Sequence, residues 1–398
     1  MKTSILFTIG LTLLLKYTHA LGFVKRCGDK FVLDDKTFYF TGSNNYYLHY
    51  HNTSVTAEEV FSTCEKHGLN VMRTWAFMDK EFSYEDHGHY YTYYNNATRQ
   101  IEVNEGANGL KKLDQVIATA EKYGVRLILA FTNNWVAFGG LEQWVRDFGY
   151  DTHDAFFTVP EIKKAYKKYV KTLLNRRNTI TGKKYKNDGT IFAWELGNEL
   201  RAWGDGFPIE KPYDTSIITN WLDEMSIYIK AHDPNHMVST GEEGFGLPEV
   251  ESDNDIYFLD DGNDFKKNVA LKNIDFATIH LYPNYWNFKD IVEDGKQYIV
   301  SHAKAAKKEL NKPIIMEEFG LQEKNREEGY PALLKTMVEE DYNGIMLWML
   351  ADHSYPDYDG FTIYDEDLTT YLDEFTAIQK KKSGKKLPCK NCKNCNRF

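Results

Sequence analysis

Two short stretches carry paired glutamates inside otherwise apolar runs. FAWELGNEL, residues 192–200, holds Glu195 and Glu199, and MEEFG, residues 316–320, holds Glu317 and Glu318. A carboxylate in such a run is costly unless a partner satisfies it or a reaction uses it. Two carboxylates at one mouth can cleave a glycosidic bond. One, as the acid, protonates the leaving oxygen, while the other attacks the anomeric carbon or activates water. The rival signatures are missing: the chain has no G-x-S-x-G, no H-E-x-x-H and no phosphate loop. No metal and no organic cofactor is therefore expected, and HGH at 87–89 reads as polar surface.

Eight apolar, β-branched or aromatic runs must position these groups: 38–47, 69–77, 125–132, 191–199, 237–245, 276–282, 313–320 and 344–350. Amphipathic segments separate them at 56–67, 109–123, 160–177, 215–231, 288–310 and 325–341, the first opening on a capping box from Thr56 to Glu59. Alternating strand and helix implies a parallel sheet, and eight units imply an α/β chain folded as a (β/α)8 TIM barrel with enlarged loops. An open doubly wound sheet would carry a glycine-rich turn after its first strand, and TGSNNYY is not one.

Reactive groups of such barrels sit at the C-terminal strand ends. Here those ends offer Asn44 and Asn45, Arg73 and Trp75, Asn133, Asn134 and Trp135, then Asn198 and Glu199. Later ends offer Glu242 and Glu243, His280 and Tyr282, Glu317 and Glu318, and Trp348. By the two-residue strand period Glu195 lies on the side of Glu199 but deeper, and is expected to be buried and paired. Glu317 and Glu318 are expected to point to opposite sides, leaving one of them at the mouth.

Over roughly residues 23–378 the chain resembles glycoside hydrolase family 5, in its fungal and plant endo-β-1,4-mannanase subfamily. WELGNEL resembles the family's Asn-Glu acid/base motif, MEEFG its nucleophile motif, and HLYPNYW, which ends at Trp286, its His-x-Tyr motif. RTWAF, NNW followed by FGG, and GNDF are similar to mannanase features. The resemblance implies Glu199 as acid/base and Glu318 as nucleophile of a retaining double displacement. It implies Asn198 on the sugar 2-hydroxyl, Arg73 and Tyr282 on the nucleophile, His280 beside the acid/base and Trp348 beneath the reacting sugar. Asn134, Arg201 and Glu243 become substrate contacts. The implied substrate is a β-mannan polysaccharide or manno-oligosaccharide. An exo-acting β-mannosidase, a transglycosylase, a β-1,4-glucanase and a non-catalytic carbohydrate-binding barrel are the alternatives. Leu200 stands where the family often has proline, and Tyr46-Tyr47 where it often has tyrosine-tryptophan.

The net charge of −10 argues against nucleic acid as a partner. Lys2, the apolar run Ile5–Leu15 and Thr18 with Ala20 read as a signal peptide over 1–20, so a secreted monomer off the membrane is expected. Asn52 and Asn96 head glycosylation sequons. The catalytic domain is expected over 21–379, followed by a basic appendage, 380–398, that holds three of the five cysteines.

Overall fold

A computed structural model describes residues 21–50, 53–80, 88–207 and 213–387. A three-stranded antiparallel sheet comes first: β1 (Lys25–Cys27), β2 (Lys30–Leu33) and β3 (Lys36–Phe38). Two parallel strands follow, β4 (Phe40–Asn44) and β5 (Val71–Trp75), then a hairpin, β6 (Thr92–Asn95) and β7 (Gln100–Val103). The remaining strands are β8 (Arg126–Ala130), β9 (Ile191–Glu195), β10 (Met237–Ser239), β11 (Ala277–Leu281), β12 (Ile314–Phe319) and β13 (Gly344–Leu347).

Eight of these form one parallel sheet, ordered β10-β9-β8-β5-β4-β13-β12-β11. Each lies within one of the eight runs read from the sequence. Asp275 N–H donates to the Val238 carbonyl at 2.8 Å and His280 N–H to the Glu243 carbonyl at 2.9 Å, which join the two ends and close the barrel. The residues of β4, β5, β8, β9, β11, β12 and β13 are buried throughout, because helices cover one face and the barrel interior fills the other.

Phe31 of β2 plugs the N-terminal end, with ring centroids 5.2 Å from Phe192, 5.3 Å from Phe276 and 6.2 Å from Phe40. The bottom is thus sealed by aromatic packing and the opposite end is left for chemistry. The helix Leu110–Tyr123 shows how the outer layer is held. Leu110, Leu113, Val116, Ile117 and Ala120 recur on one face and are buried, and each of the larger ones contributes about 1.5–3 kcal/mol. Gly124, at φ 71°, ends the helix in the left-handed conformation that glycine adopts without steric cost.

Two local expectations change. The first helix, Thr53–His67, starts three residues before the expected capping box, so Thr56 lies buried in its first turn instead of capping it. The chain beyond Gln379 also stays on the body. The helix Asp373–Lys382 runs past the expected boundary, Thr37 N–H donates to the Lys385 carbonyl at 2.9 Å, and Gly384 N–H donates to that of Thr37 at 2.8 Å. Cys389, Cys392 and Cys395 lie outside the described residues, as do residues 1–20, on which the signal-peptide expectation falls, Asn52 and His87. Asn96 is exposed, and Cys27 and Cys64 are buried.

Candidate active site

Glu199 follows β9 on a backbone held from both sides. Asn198 N–H donates to the Thr132 carbonyl and Glu199 N–H to that of Gly241, each at 2.8 Å. Those anchors keep Glu199 at φ 53°, a left-handed conformation that costs a side-chain-bearing residue about 1–3 kcal/mol and clusters at functional sites. Its Oε2 accepts from Trp135 Nε1 at 2.6 Å, and its Oε1 lies 2.7 Å from His280 Nδ1.

Glu318, at the end of β12, is filled by donors on both oxygens. Arg73 Nη1 donates to Oε1 and Tyr282 Oη to Oε2, each at 2.5 Å. With no acceptor facing either oxygen in these pairs, the hydrogen bonds fit a carboxylate. Arg73 is fully buried. It also grips Glu195 through Nε and Nη2 at 2.8 and 2.7 Å, and it donates to Asn198 Oδ1 at 2.5 Å. Glu195 is therefore the buried, paired carboxylate expected of it. One guanidinium joins its own strand β5 to β9 and β12 and, through Asn44 Oδ1 at 3.2 Å, to β4, because its planar fork serves several oxygens together.

The expectation for Glu317 changes. Along β11 and β12, Ile279 pairs with Met316 but His280 pairs with Glu318, so the ladder shifts register at Glu317. That irregularity re-aims a side chain that a regular strand would turn outward. Glu317 Oε2 lies 3.4 Å from His280 Nε2 and 3.6 Å from Arg73 Nε, so both neighbouring glutamates reach the interior groups. Only Glu318 lines the cleft.

Electrostatics tie these groups to one proton. Burial opposes a charged His280, but the Glu318 charge and the hydrogen bonds to Glu199 and Glu317 raise its pKa well above the ordinary value. Burial likewise lifts the Glu199 carboxyl, yet His280 outweighs it and lowers Glu199 to about 2. For Glu318, burial raises the carboxyl against the pull of His280 and Arg73. The proton on His280 Nδ1 lies one hydrogen bond from Glu199, and its transfer would leave a neutral imidazole beside a carboxylic acid. One oxygen of Glu199, one of Glu318 and a ring nitrogen of His280 lie within 4.8 Å of one another. That spacing is also compatible with ligating a cation, although all three groups already have hydrogen-bond partners.

The cleft has a volume of about 520 Å³. Trp348 forms part of its wall, with Nε1 donating to Asp359 Oδ2 at 2.9 Å and its ring stacked on Tyr46 at 5.9 Å and 15°. Elsewhere on the wall Arg201 pairs with Glu243 and packs on the rings of Trp135, Trp203 and Phe245 at 4.6–5.1 Å. Burial pushes Glu243 up to about 7 against the pull of Arg201.

Trp75, Asn198, Glu199, Arg201, Glu243, Tyr282, Trp286, Glu318 and Trp348 all line the cleft, with Arg73 and His280 behind them. Asn134 does not line it. Its side chain is fully buried, donating to the Trp203 carbonyl at 2.9 Å and accepting from Arg201 N–H at 2.9 Å, so it braces the loop that carries Arg201. Phe138 and Tyr285, within FGG and HLYPNYW, also line it, and Tyr358, Asp359 and Phe361 are lining residues outside every motif read from the sequence. The available signal was the acidic, aromatic stretch YPDYDGF at 355–361.

A barrel with two carboxylates and an aromatic cleft at its C-terminal end is the architecture of a glycoside hydrolase. Residues 21–355 match the GH family 5 beta-mannosidase-like model, and the chain belongs to that family. It is 35% identical over 366 residues to a probable mannan endo-1,4-beta-mannosidase A of Aspergillus flavus, covering 90% of this chain and 89% of that one. It is 39% identical over 302 residues to mannan endo-1,4-beta-mannosidase F of Aspergillus clavatus, covering 76% of this chain and only 65% of that longer relative. Its fold is similar to the crystal structure of the Rhizomucor miehei endo-1,4-beta-mannanase, with a TM-score of 0.85 and 36% identity over 90% of this chain and all of that one. Among the described residues no helix is long and apolar enough to cross a membrane.

Proposed function

We propose that the protein is a retaining endo-β-1,4-mannanase that hydrolyses internal bonds of β-mannan, and that its leader directs it out of the cell. The observation that carries the mechanism is the approach of Glu199 and Glu318 oxygens to within 4.8 Å. Retaining enzymes hold their carboxyl groups about 5–5.5 Å apart, whereas inverting enzymes leave about 6.5–9.5 Å for a water. The mannanases among the relatives and the acidic surface, suited to a neutral polymer, support the substrate.

In this reading Glu318 attacks the anomeric carbon as a carboxylate, oriented by Arg73 and Tyr282. Glu199 delivers to the leaving oxygen the proton it shares with His280. The glycosyl-enzyme ester then yields to water, from which Glu199 removes the proton. Asn198, fixed by Arg73 at 2.5 Å and donating to Asn133 Oδ1 at 2.9 Å, is positioned to meet the sugar 2-hydroxyl. Trp348, Arg201, Glu243 and Trp286 line the same cleft and supply further contacts for sugars beside the cleaved bond.

Product analysis on mannohexaose tests the assignment, with galactomannan and carboxymethylcellulose compared in parallel. Early release of internal fragments and turnover of galactomannan are expected. Release of mannose alone would indicate exo action, and a preference for carboxymethylcellulose would make it a glucanase.

A further inference from the structure

A second groove, of about 1040 Å³, lies on the barrel flank and shares no lining residue with the cleft. Its floor is the helix Pro160–Asn175, and its walls come from the hairpin β6–β7 and the helix Ser216–His232. Lys163, Lys164, Lys167, Lys168, Lys171 and Arg99 line it against only two carboxylates, Glu161 and Glu224. Both carboxylates are engaged. Glu224 takes Lys163 at 2.8 Å and Lys167 at 2.6 Å, and Glu161 accepts from Tyr150 Oη at 2.6 Å.

Lys164, Lys168 and Lys171 are exposed and follow one another at four- and three-residue spacing, a ridge about 10 Å long at helical rise. Like charges at that spacing disfavour the helix by about 0.2–0.5 kcal/mol per pair. Lys164, Lys171 and Arg99 make no ion pair among the described residues, while Lys168 reaches the Gln100 amide oxygen, at 3.1 Å, and the Ile101 carbonyl, at 3.4 Å, and its charge also acts on the Glu102 carboxylate. A concentrated positive strip thus stands on a chain of net charge −10.

We infer that this groove binds a carboxylate-bearing polysaccharide, a polyuronate. The cations are almost all ammonium groups, point charges spread along one ridge that pair with charges spaced along a polymer, whereas only Arg99 could grip a single anion in a planar fork. Phe148 and Tyr228 also line the groove, half-buried; Phe148 meets Tyr94 edge-on at 5.5 Å and Tyr228 packs on His232 at 4.3 Å, so a sugar would pack on the part of each ring still exposed. Binding there would hold the protein on an acidic polymer while the cleft acts on a neutral one, and that second half rests on the proposed function.

The test is affinity electrophoresis and titration calorimetry of the full chain with polygalacturonate, polyphosphate and vesicles of anionic phospholipid. Polygalacturonate should bind at low salt and release as sodium chloride is raised. The triple substitution Lys164→Gln, Lys168→Gln and Lys171→Gln should weaken that binding by about tenfold or more, leaving galactomannan turnover unchanged and the melting temperature no lower. Lys111→Gln with Lys112→Gln, on another helix, should leave it intact. Undiminished binding by the triple variant would overturn the site, and retention by polyphosphate or vesicles in place of polygalacturonate would overturn the ligand. Loss of mannan turnover in the wild type with polyuronate binding intact would count against the proposed function and leave the groove standing.

Discussion

Tyr282→Phe removes one oxygen and isolates one hydrogen bond. Tyr282 Oη donates to Glu318 Oε2 at 2.5 Å, while the ring packs on Phe361 at 5.2 Å and Trp286 at 6.1 Å and would keep those contacts as phenylalanine. A hydrogen bond to a charged group contributes about 1.5–3 kcal/mol. Since one pKa unit corresponds to about 1.36 kcal/mol, losing it should raise the Glu318 pKa by about 1–2 units. Donation favours the ionised form, so its loss favours the protonated one and the attacking carboxylate becomes scarcer at a given pH. The acidic limb of kcat/KM should move to higher pH by about 1–2 units, with a loss of about 10–100-fold below it. The alkaline limb, which reports the proton that Glu199 and His280 share, should stay in place. The assay is the pH profile of kcat/KM on mannohexaose. An acidic limb that stays put or moves down would refute the assignment of Glu318 as the ionised nucleophile held by Tyr282.

Other substitutions separate the remaining roles. Glu318→Ala should abolish turnover of every substrate. Glu199→Ala should spare the first step for an aryl mannoside whose leaving group needs no proton, with azide rescuing the second step as a β-mannosyl azide; a retained azide product from Glu318→Ala would reverse the two. Arg73→Met leaves Glu195 and Glu318 buried without their cation and should cost about 3–5 kcal/mol in urea unfolding, against little change if the network is dispensable. Truncation after Leu387 should leave thermal unfolding unchanged. Truncation after Gln379 removes the bonds of Lys382, Ser383, Gly384 and Lys385 to Val338, Tyr39 and Thr37, and should lower stability by roughly 2–4 kcal/mol. Equal melting curves for the two truncations would contradict that docking.

The eight strands were legible because each is a β-branched or aromatic run between helical patterns, and the polar residues at their ends named most of the cleft. Glu199 stood out because a carboxylate at the end of an apolar strand is conspicuous; Glu317 and Glu318 stood out together, and the choice of Glu318 came from the family resemblance. What stayed hidden depends on tertiary geometry. The register shift at Glu317 leaves no trace in a two-residue period, so that side chain was placed outside and is found beside His280. Asn134 had the residue type of a sugar contact, and only the fold shows its amide engaged by Trp203 and Arg201. Asp359 and Tyr358 sit on an irregular loop, where no periodicity marks which side chains turn inward. The chain beyond Gln379 reads as a basic appendage because part of what holds it, at Thr37 and Tyr39, lies more than 300 residues away in sequence.

The central claim is double displacement through Glu318. It is tested most directly by proton NMR of mannohexaose hydrolysis in the first minutes, before the anomers equilibrate. The account predicts that the newly formed reducing end appears first as the β-anomer and drifts toward the equilibrium mixture. Initial appearance of the α-anomer would mean single displacement by water and would contradict it.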